Sequence, residues 1–405
     1  MYVGSFWTWV SVGQMIYMFV KFLLNTIIYL YLYMKKYFAN YNSIISLKNI
    51  FSFFFFVICG IYTTHTVYAH EAYVLPQNYF WQVTNSISQP TGLTPLTNPQ
   101  NFNTGLTIAV FVLLALCVNF FLRRTKFFQK IDKKIEQYSD FGPVLVRIAI
   151  AVSFFRAATV HSIFGPELPF SSIIHADLLP SLLIISAICI LFGFLTEIGA
   201  LLGLIAFTFA FASHGLYMLT YCMYVGELLV LLLFGVSRYS LDAIFFPNLV
   251  TRFKKLEPYA TTLIRFTFGI AFIYTAIQVK LLHPELTIKV IQDYNLTQFR
   301  YLFPNDPALI TLGAGIVEIV MGLFIIFGFE LRLTLVVMLF YLTLSISYFG
   351  EAVWPHYILY GTALALFFEK EIFSLDHIVL SHHRKKYTWW RRPFLPHRHK
   401  VEQSS

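Results

Sequence analysis

Glu318 is the residue of this chain whose position most demands chemistry. It lies eleven residues into a 22-residue apolar stretch, 307–328, where a charge costs roughly 2.5–3.5 kcal/mol on insertion scales and snorkelling cannot reach water. Such a carboxyl either carries a proton or faces a basic partner or an aqueous cavity. The basic candidates are Arg265 and Lys280, near opposite ends of the preceding apolar stretch. A structural ion pair and a proton- or quinone-handling role are both open. Glu227 and Arg156 form a second candidate buried pair; Arg147 and Arg265 read as structural anchors near the inner face.

A second group lies at helix ends. Lys280, His283 and Glu285 close one apolar stretch, Glu351 closes another, and His356 opens the last. Together they could line an outer polar rim that binds an anionic substrate. The histidines His161, His175, His214, His283 and His356 all fall on the same half of the topology, which points to a metal or proton-linked site. None shows ligand spacing such as i,i+4, and none aligns with another across the repeat described below.

The elements that hold these residues are membrane helices. Of 405 residues, 58% are hydrophobic and 12% charged, and mean hydropathy is +0.67; soluble domains carry about 25% charge. That excludes a water-soluble globular enzyme. The net charge of +9 is no nucleic-acid footprint, because the basic residues segregate by topology. Spans are expected near 104–122, 143–164, 178–195, 197–217, 221–237, 260–282, 307–328, 331–350 and 353–369. With the first running outside to inside, the inner segments hold 19 Lys and Arg and the outer segments only Lys289 and Arg300. This asymmetry places the mature N-terminus outside and the C-terminus in the cytoplasm of a bacterial inner membrane.

Met34-Lys35-Lys36, Lys48, the apolar run Ile50–Tyr62 and Val67-Tyr68-Ala69 have the layout of a secretory signal. Residues 1–69 are therefore expected to be an upstream segment plus signal peptide, with Met34 a possible true start. A mature N-terminal His70 could chelate copper through its amine and imidazole, or simply mark where a peptidase cut. Residues 70–103, without Lys or Arg, read as an extracytoplasmic loop segment. The first span and its basic loop occupy 104–135, and 381–405 is a basic tail suited to an anionic leaflet. Cys59, Cys117, Cys189 and Cys222 show neither disulfide nor zinc spacing.

The chain also repeats. At an offset of 118, residues 145–168 match 263–286 with seven identities in 24, including Arg147/Arg265 and Pro166-Glu167-Leu168/Pro284-Glu285-Leu286. At an offset of 135, Phe192-Gly193-Phe194 meets Phe327-Gly328-Phe329 and Gly226 meets Gly361. The change locates a 17-residue insertion within about 287–306. The expected fold is all-α: a polytopic helical membrane protein with two tandem, parallel four-helix units, 140–247 and 258–380, after the signal and one extra helix. Glu318 aligns with Leu183, so the units are not chemically equivalent.

The second unit resembles the DoxX family. The likeness rests on the Arg265 helix ending in Lys280, on Ala314-Gly315-Ile316-Val317-Glu318-Ile319-Val320-Met321-Gly322, and on the turn Phe327-Gly328-Phe329-Glu330-Leu331-Arg332. The resemblance implies quinone-linked electron transfer in or beside a membrane oxidoreductase, with Glu318 handling the quinol proton, the Lys280/His283/Glu285/Glu351/His356 rim binding the reductant, and a redox partner subunit. No flavin, dinucleotide or haem-attachment motif occurs. Two other functions fit the residues. A proton-coupled transporter of a small solute would use the same Glu318, and a non-catalytic assembly factor would tolerate Glu318→Ala and Glu351→Ala together.

Overall fold

A computed structural model of the chain describes residues 71–86, 91–123, 125–235, 240–245, 256–298, 305–349, 352–369 and 373–375. All belong to one compact unit, His65–Ser405. His70, Glu351, the signal region and the basic tail lie outside the described residues.

The described elements are helices: α1 Glu71–Val74, α2 Gln77–Thr84, α3 Pro99–Arg123, α4 Lys126–Glu136, α5 Gly142–Val160, α6 Leu179–Phe192, α7 Thr196–His214, α8 Cys222–Phe234, α9 Leu241–Phe245, α10 Ala260–Ala276, α11 Pro284–Asp293, α12 Pro307–Phe327, α13 Leu331–Phe349 and α14 Tyr357–Phe368. Among the described residues no strand occurs, and a single bridge joins Ser162 to Pro169. The runs Lys130–Val160, Thr196–Phe234, Glu257–Leu282, Pro307–Phe327 and Leu331–Phe349 are long and apolar enough to cross a membrane. With no water in the bilayer core, helices satisfy their own backbone groups there. The 39-residue run Thr196–Phe234 folds back on itself, because Gly215 leaves helical geometry at φ 57°, ψ −136° and α7 packs against α8. The protein is an all-α polytopic membrane protein.

Much of the described part of 71–103 is helical where a loop was expected. α1 and α2 form here, a 3₁₀ turn spans Thr91–Thr97, and α3 begins at Pro99 rather than near 104. The segment packs on the rest of the protein: Phe80 is fully buried, and the Trp81 indole donates to the Glu167 carbonyl at 3.2 Å. The insertion expected within 287–306 includes most of α11.

Two arrangements recur with the sequence offsets. Gly193 ends α6 and Gly328 ends α12, both left-handed at φ 62° and 61°, a conformation other L-residues enter only with strain. The Arg147 guanidinium and Ser240 press on Gly193 as the Arg265 guanidinium and Ser374 press on Gly328. In the first half Asp242 completes the knot, accepting from the Leu195 and Thr196 amides at 2.8 and 3.0 Å and so capping α7. In the second, Arg265 donates to the Phe373 carbonyl at 2.8 Å. Arg147 and Arg265 are thus buried structural residues.

The second arrangement concerns helix order. α8 packs on α10 and α14 on α5. Gly226 of α8 abuts Thr267 of α10, while Gly361 of α14 abuts Ala149 of α5; Thr267 and Ala149 are themselves separated by the offset of 118. The two contacts, α8 on α10 and α14 on α5, are thus related by the sequence offsets.

Candidate functional site

Two helices, α10 and α12, carry the central pair. They cross at Gly269 and Gly322: a β-carbon on Gly269 would come within 2.5 Å of the Gly322 carbonyl oxygen, and one on Gly322 within 2.8 Å of that of Gly269. Small residues permit this backbone approach in membrane helices. Glu318 lies one turn from Gly322. Beyond Ala276 the chain widens into a π-helical segment, Ile277–Leu282, a departure that frequently marks functional positions. It carries Lys280.

The Lys280 Nζ sits 3.1 Å from Glu318 Oε2 and 3.1 Å from Glu71 Oε1. The Tyr341 hydroxyl of α13 donates to Glu318 Oε1 at 3.3 Å, and the Thr287 hydroxyl of α11 donates to Glu71 Oε1 at 2.8 Å. Lys280, Glu71 and Glu318 are buried at 3%, 8% and 8% exposure. One ammonium thus lies between two carboxylates, a set with formal charge −1. Tyr341 is different: its residue is 39% exposed, on a face with Val337, Phe340 and Leu344. Its ring meets the outer apolar surface while its hydroxyl reaches the buried acid.

Of the two basic partners considered for Glu318, the structure selects Lys280. Arg265 turns to Thr262 and the Phe373 carbonyl instead. The pairing of Glu227 with Arg156 does not form. Glu227, fully buried, accepts from the Thr362 hydroxyl of α14, whereas Arg156 is half-buried. Of the rim residues that are described, only Glu285 is exposed. His356 is buried, its Nδ1 3.0 Å from the Ala352 carbonyl oxygen; His283 is buried, its Nδ1 3.7 Å from a Glu285 carboxylate that is 47% exposed. Helix-end position does not say which way a side chain points, and here three of the rim residues, Lys280, His283 and His356, turn inward. Among the described residues no group of three His, Cys, Asp or Glu side chains could hold a metal ion.

Sequence reading missed Glu71, Thr287 and Tyr341. For Glu71 a signal existed: it is the first acidic residue of the chain, and the next is Asp132. Tyr341 is one of 25 tyrosines and carried none.

Residues 260–351 match the model of the DoxX family. Over that stretch the chain is similar to the DoxX family of membrane proteins. The DoxX segment opens with α10 and runs to the end of α13, so Lys280, Glu318 and Tyr341 lie inside it; Glu71 does not. No curated protein and no solved structure matches the chain.

A second buried acid lies outside the spans and outside the DoxX segment. Glu167 is fully buried beneath α2; its Oε1 accepts from the Tyr217 hydroxyl at 3.0 Å and from the Tyr221 hydroxyl. Burial pushes its carboxyl up to about 7, against the smaller opposing effect of the tyrosine hydrogen bonds. Trp81, which donates to the Glu167 carbonyl, stacks on His214 at 5.3 Å.

Proposed function

We propose that the chain serves quinone-linked electron transfer in a bacterial cytoplasmic membrane, as an accessory subunit of a membrane oxidoreductase or as its quinone-binding part, with the Glu71–Lys280–Glu318–Tyr341 cluster handling protons. The observation that carries this reading is the position of Tyr341, which links a lipid-accessible apolar surface to a buried carboxyl. A quinone travels within the bilayer and would approach by that surface. The residues fit it: the Tyr341 hydroxyl and the Lys280 ammonium can donate to a quinone oxygen. A bound quinone would supply the two-electron carrier, and the electrons would come from a redox partner subunit or an anionic reductant.

Glu318 would hold and pass the proton. Two carboxylates around one ammonium carry an excess negative charge that is costly in low dielectric, and uptake of a proton removes it. Lys280 stays close to both acids, so the proton can leave Glu318 without stranding an unpaired charge. Copper at His70 is retained only as a proposal for the N-terminus, separate from this cluster. The Lys and Arg asymmetry supports a mature N-terminus outside and a C-terminus in the cytoplasm. The recurring Arg–Gly–Ser contacts and the offset-related helix packing support an architecture of two parallel units.

The test is to purify the full chain in mild detergent, extract and identify quinone, and measure metals on the same sample. Quinone at stoichiometric level, reduced by Tyr341→Phe and Glu318→Gln in a protein of unchanged thermal stability, is the expected result. Finding none in the wild type, with substrate-dependent proton uptake in proteoliposomes, would favour the transporter, whose requirement for a buried Glu318 is the same. Intact function after Glu71→Ala and Glu318→Ala together would leave an assembly factor.

A further inference from the structure

α4, Lys126–Glu136, follows directly on the first apolar helix and has three distinct stripes. Asp132 and Glu136, four residues apart and hence on one face, hold it to the protein. The Arg332 Nη1 lies 2.5 Å from Asp132 and its Nη2 3.6 Å from Glu136, while Arg332 also donates to the carbonyls of Phe367 and Glu369 at 3.1 Å each. Arg123 adds an ion pair to Glu330 at 3.4 Å and one to Asp132 at 4.0 Å. A second stripe, again at a spacing of four, is apolar and uncovered: Phe127 is 68% and Ile131 38% exposed. The third is basic, with Lys130, Lys133 and Lys134 all exposed.

A helix pinned along one face, with an aromatic and an aliphatic side chain bare along the next and lysines beside them, has the composition of an in-plane interfacial helix. We propose that α4 lies in the membrane interface, with Phe127 and Ile131 inserted among acyl chains and Lys130, Lys133 and Lys134 holding the headgroups of anionic phospholipids. Charge complementarity selects anionic over zwitterionic lipid, and the adjoining apolar stripe selects a lipid over a free anion. Because Asp132 and Glu136 are neutralised by Arg332 and Arg123, the acids on the protein-facing stripe do not repel those headgroups. The site is separate from the Lys280 cluster and does not depend on the function proposed for it.

The experiment uses the full chain in nanodiscs, with the four native cysteines replaced by alanine and spin labels introduced singly at positions 127, 130, 131 and 134. Labels at 127 and 131 should be more accessible to oxygen than to a water-soluble nickel chelate, with the reverse at 130 and 134. Native mass spectrometry of the unlabelled protein should show phosphatidylglycerol retained over phosphatidylcholine, each Lys→Gln change at 130, 133 or 134 lowering that preference about fivefold. Equal retention of the two lipids would overturn the proposal. So would a label at 127 open to the nickel chelate, which means water, or shielded from both reagents, which means a protein cover.

Discussion

Glu227 of α8 and Thr362 of α14 are hydrogen-bonded to each other, and they are also separated by the offset of 135 that matches Gly226 to Gly361 in sequence. Two residues exchanged by a two-fold operation can touch only close to its axis. On the two-unit reading, this bond marks where that axis passes through the protein, with an acid on one side and its replacement, a threonine, on the other.

Thr362→Val should destabilise the protein by about 1–3 kcal/mol, because it strips the hydroxyl from a fully buried carboxyl. Replacing both partners removes the polar group as well as its bond, so Glu227→Leu with Thr362→Val should recover much of the loss. Thermal unfolding in detergent of the two single variants and the double variant measures this; additive losses would contradict it.

Lys280→Met should be more damaging than either acid replacement. It leaves Glu71 and Glu318 buried without their shared ammonium, and breaking a buried pair from one side costs about 3–5 kcal/mol. Adding Glu71→Gln and Glu318→Gln to Lys280→Met should restore stability without restoring function. The comparison of melting temperatures with activity separates the two roles of the cluster.

Gly193→Ala and Gly328→Ala should each cost more than the roughly 1–2 kcal/mol of a left-handed non-glycine residue, since the new methyl also meets the guanidinium of Arg147 or Arg265. Similar losses at the two positions, read by thermal unfolding, are expected because the surroundings are alike.

Glu167 makes stability depend on pH in a defined window. Its carboxyl is raised from 4.5 to about 7 in the fold, so between those values the folded state holds a proton that the unfolded chain has lost. Stability is then greatest below about 4.5, falls as pH rises towards 7, and levels off above it, a total on the order of 3 kcal/mol. Glu167→Gln should flatten that part of the profile. Melting temperatures of both proteins at intervals from pH 4.5 to 8 check the sign.

The helices were readable because lipid imposes a strong and simple rule: long apolar runs broken by basic residues could be placed from sequence, and so could Glu318 within one of them. Its partner Lys280 was legible as one of two candidates, since both lie on the neighbouring helix. Glu71 was not, because a contact between the first acid of the chain and residues far along it depends on tertiary packing that no periodicity reports. The helices at 71–84 escaped for a related reason. Apart from Glu71, their polar residues resemble a loop until Trp81 finds the Glu167 carbonyl. For Glu227, alignment already set Thr362 opposite it, and what was lacking was the recognition that aligned residues near an axis can be partners.

The packing of α8 on α10 and of α14 on α5 has a consequence for how the protein is made. When α8 leaves the ribosome its seat on α10 does not yet exist, and the Ala149 surface of α5 waits for Gly361, 212 residues further along the chain. These earlier helices must therefore sit in the bilayer unfinished until α10 and α14 follow. Stopping synthesis before α14 would deprive α5 of one neighbour, and supplying the missing segment as a separate polypeptide would be the natural way to restore it.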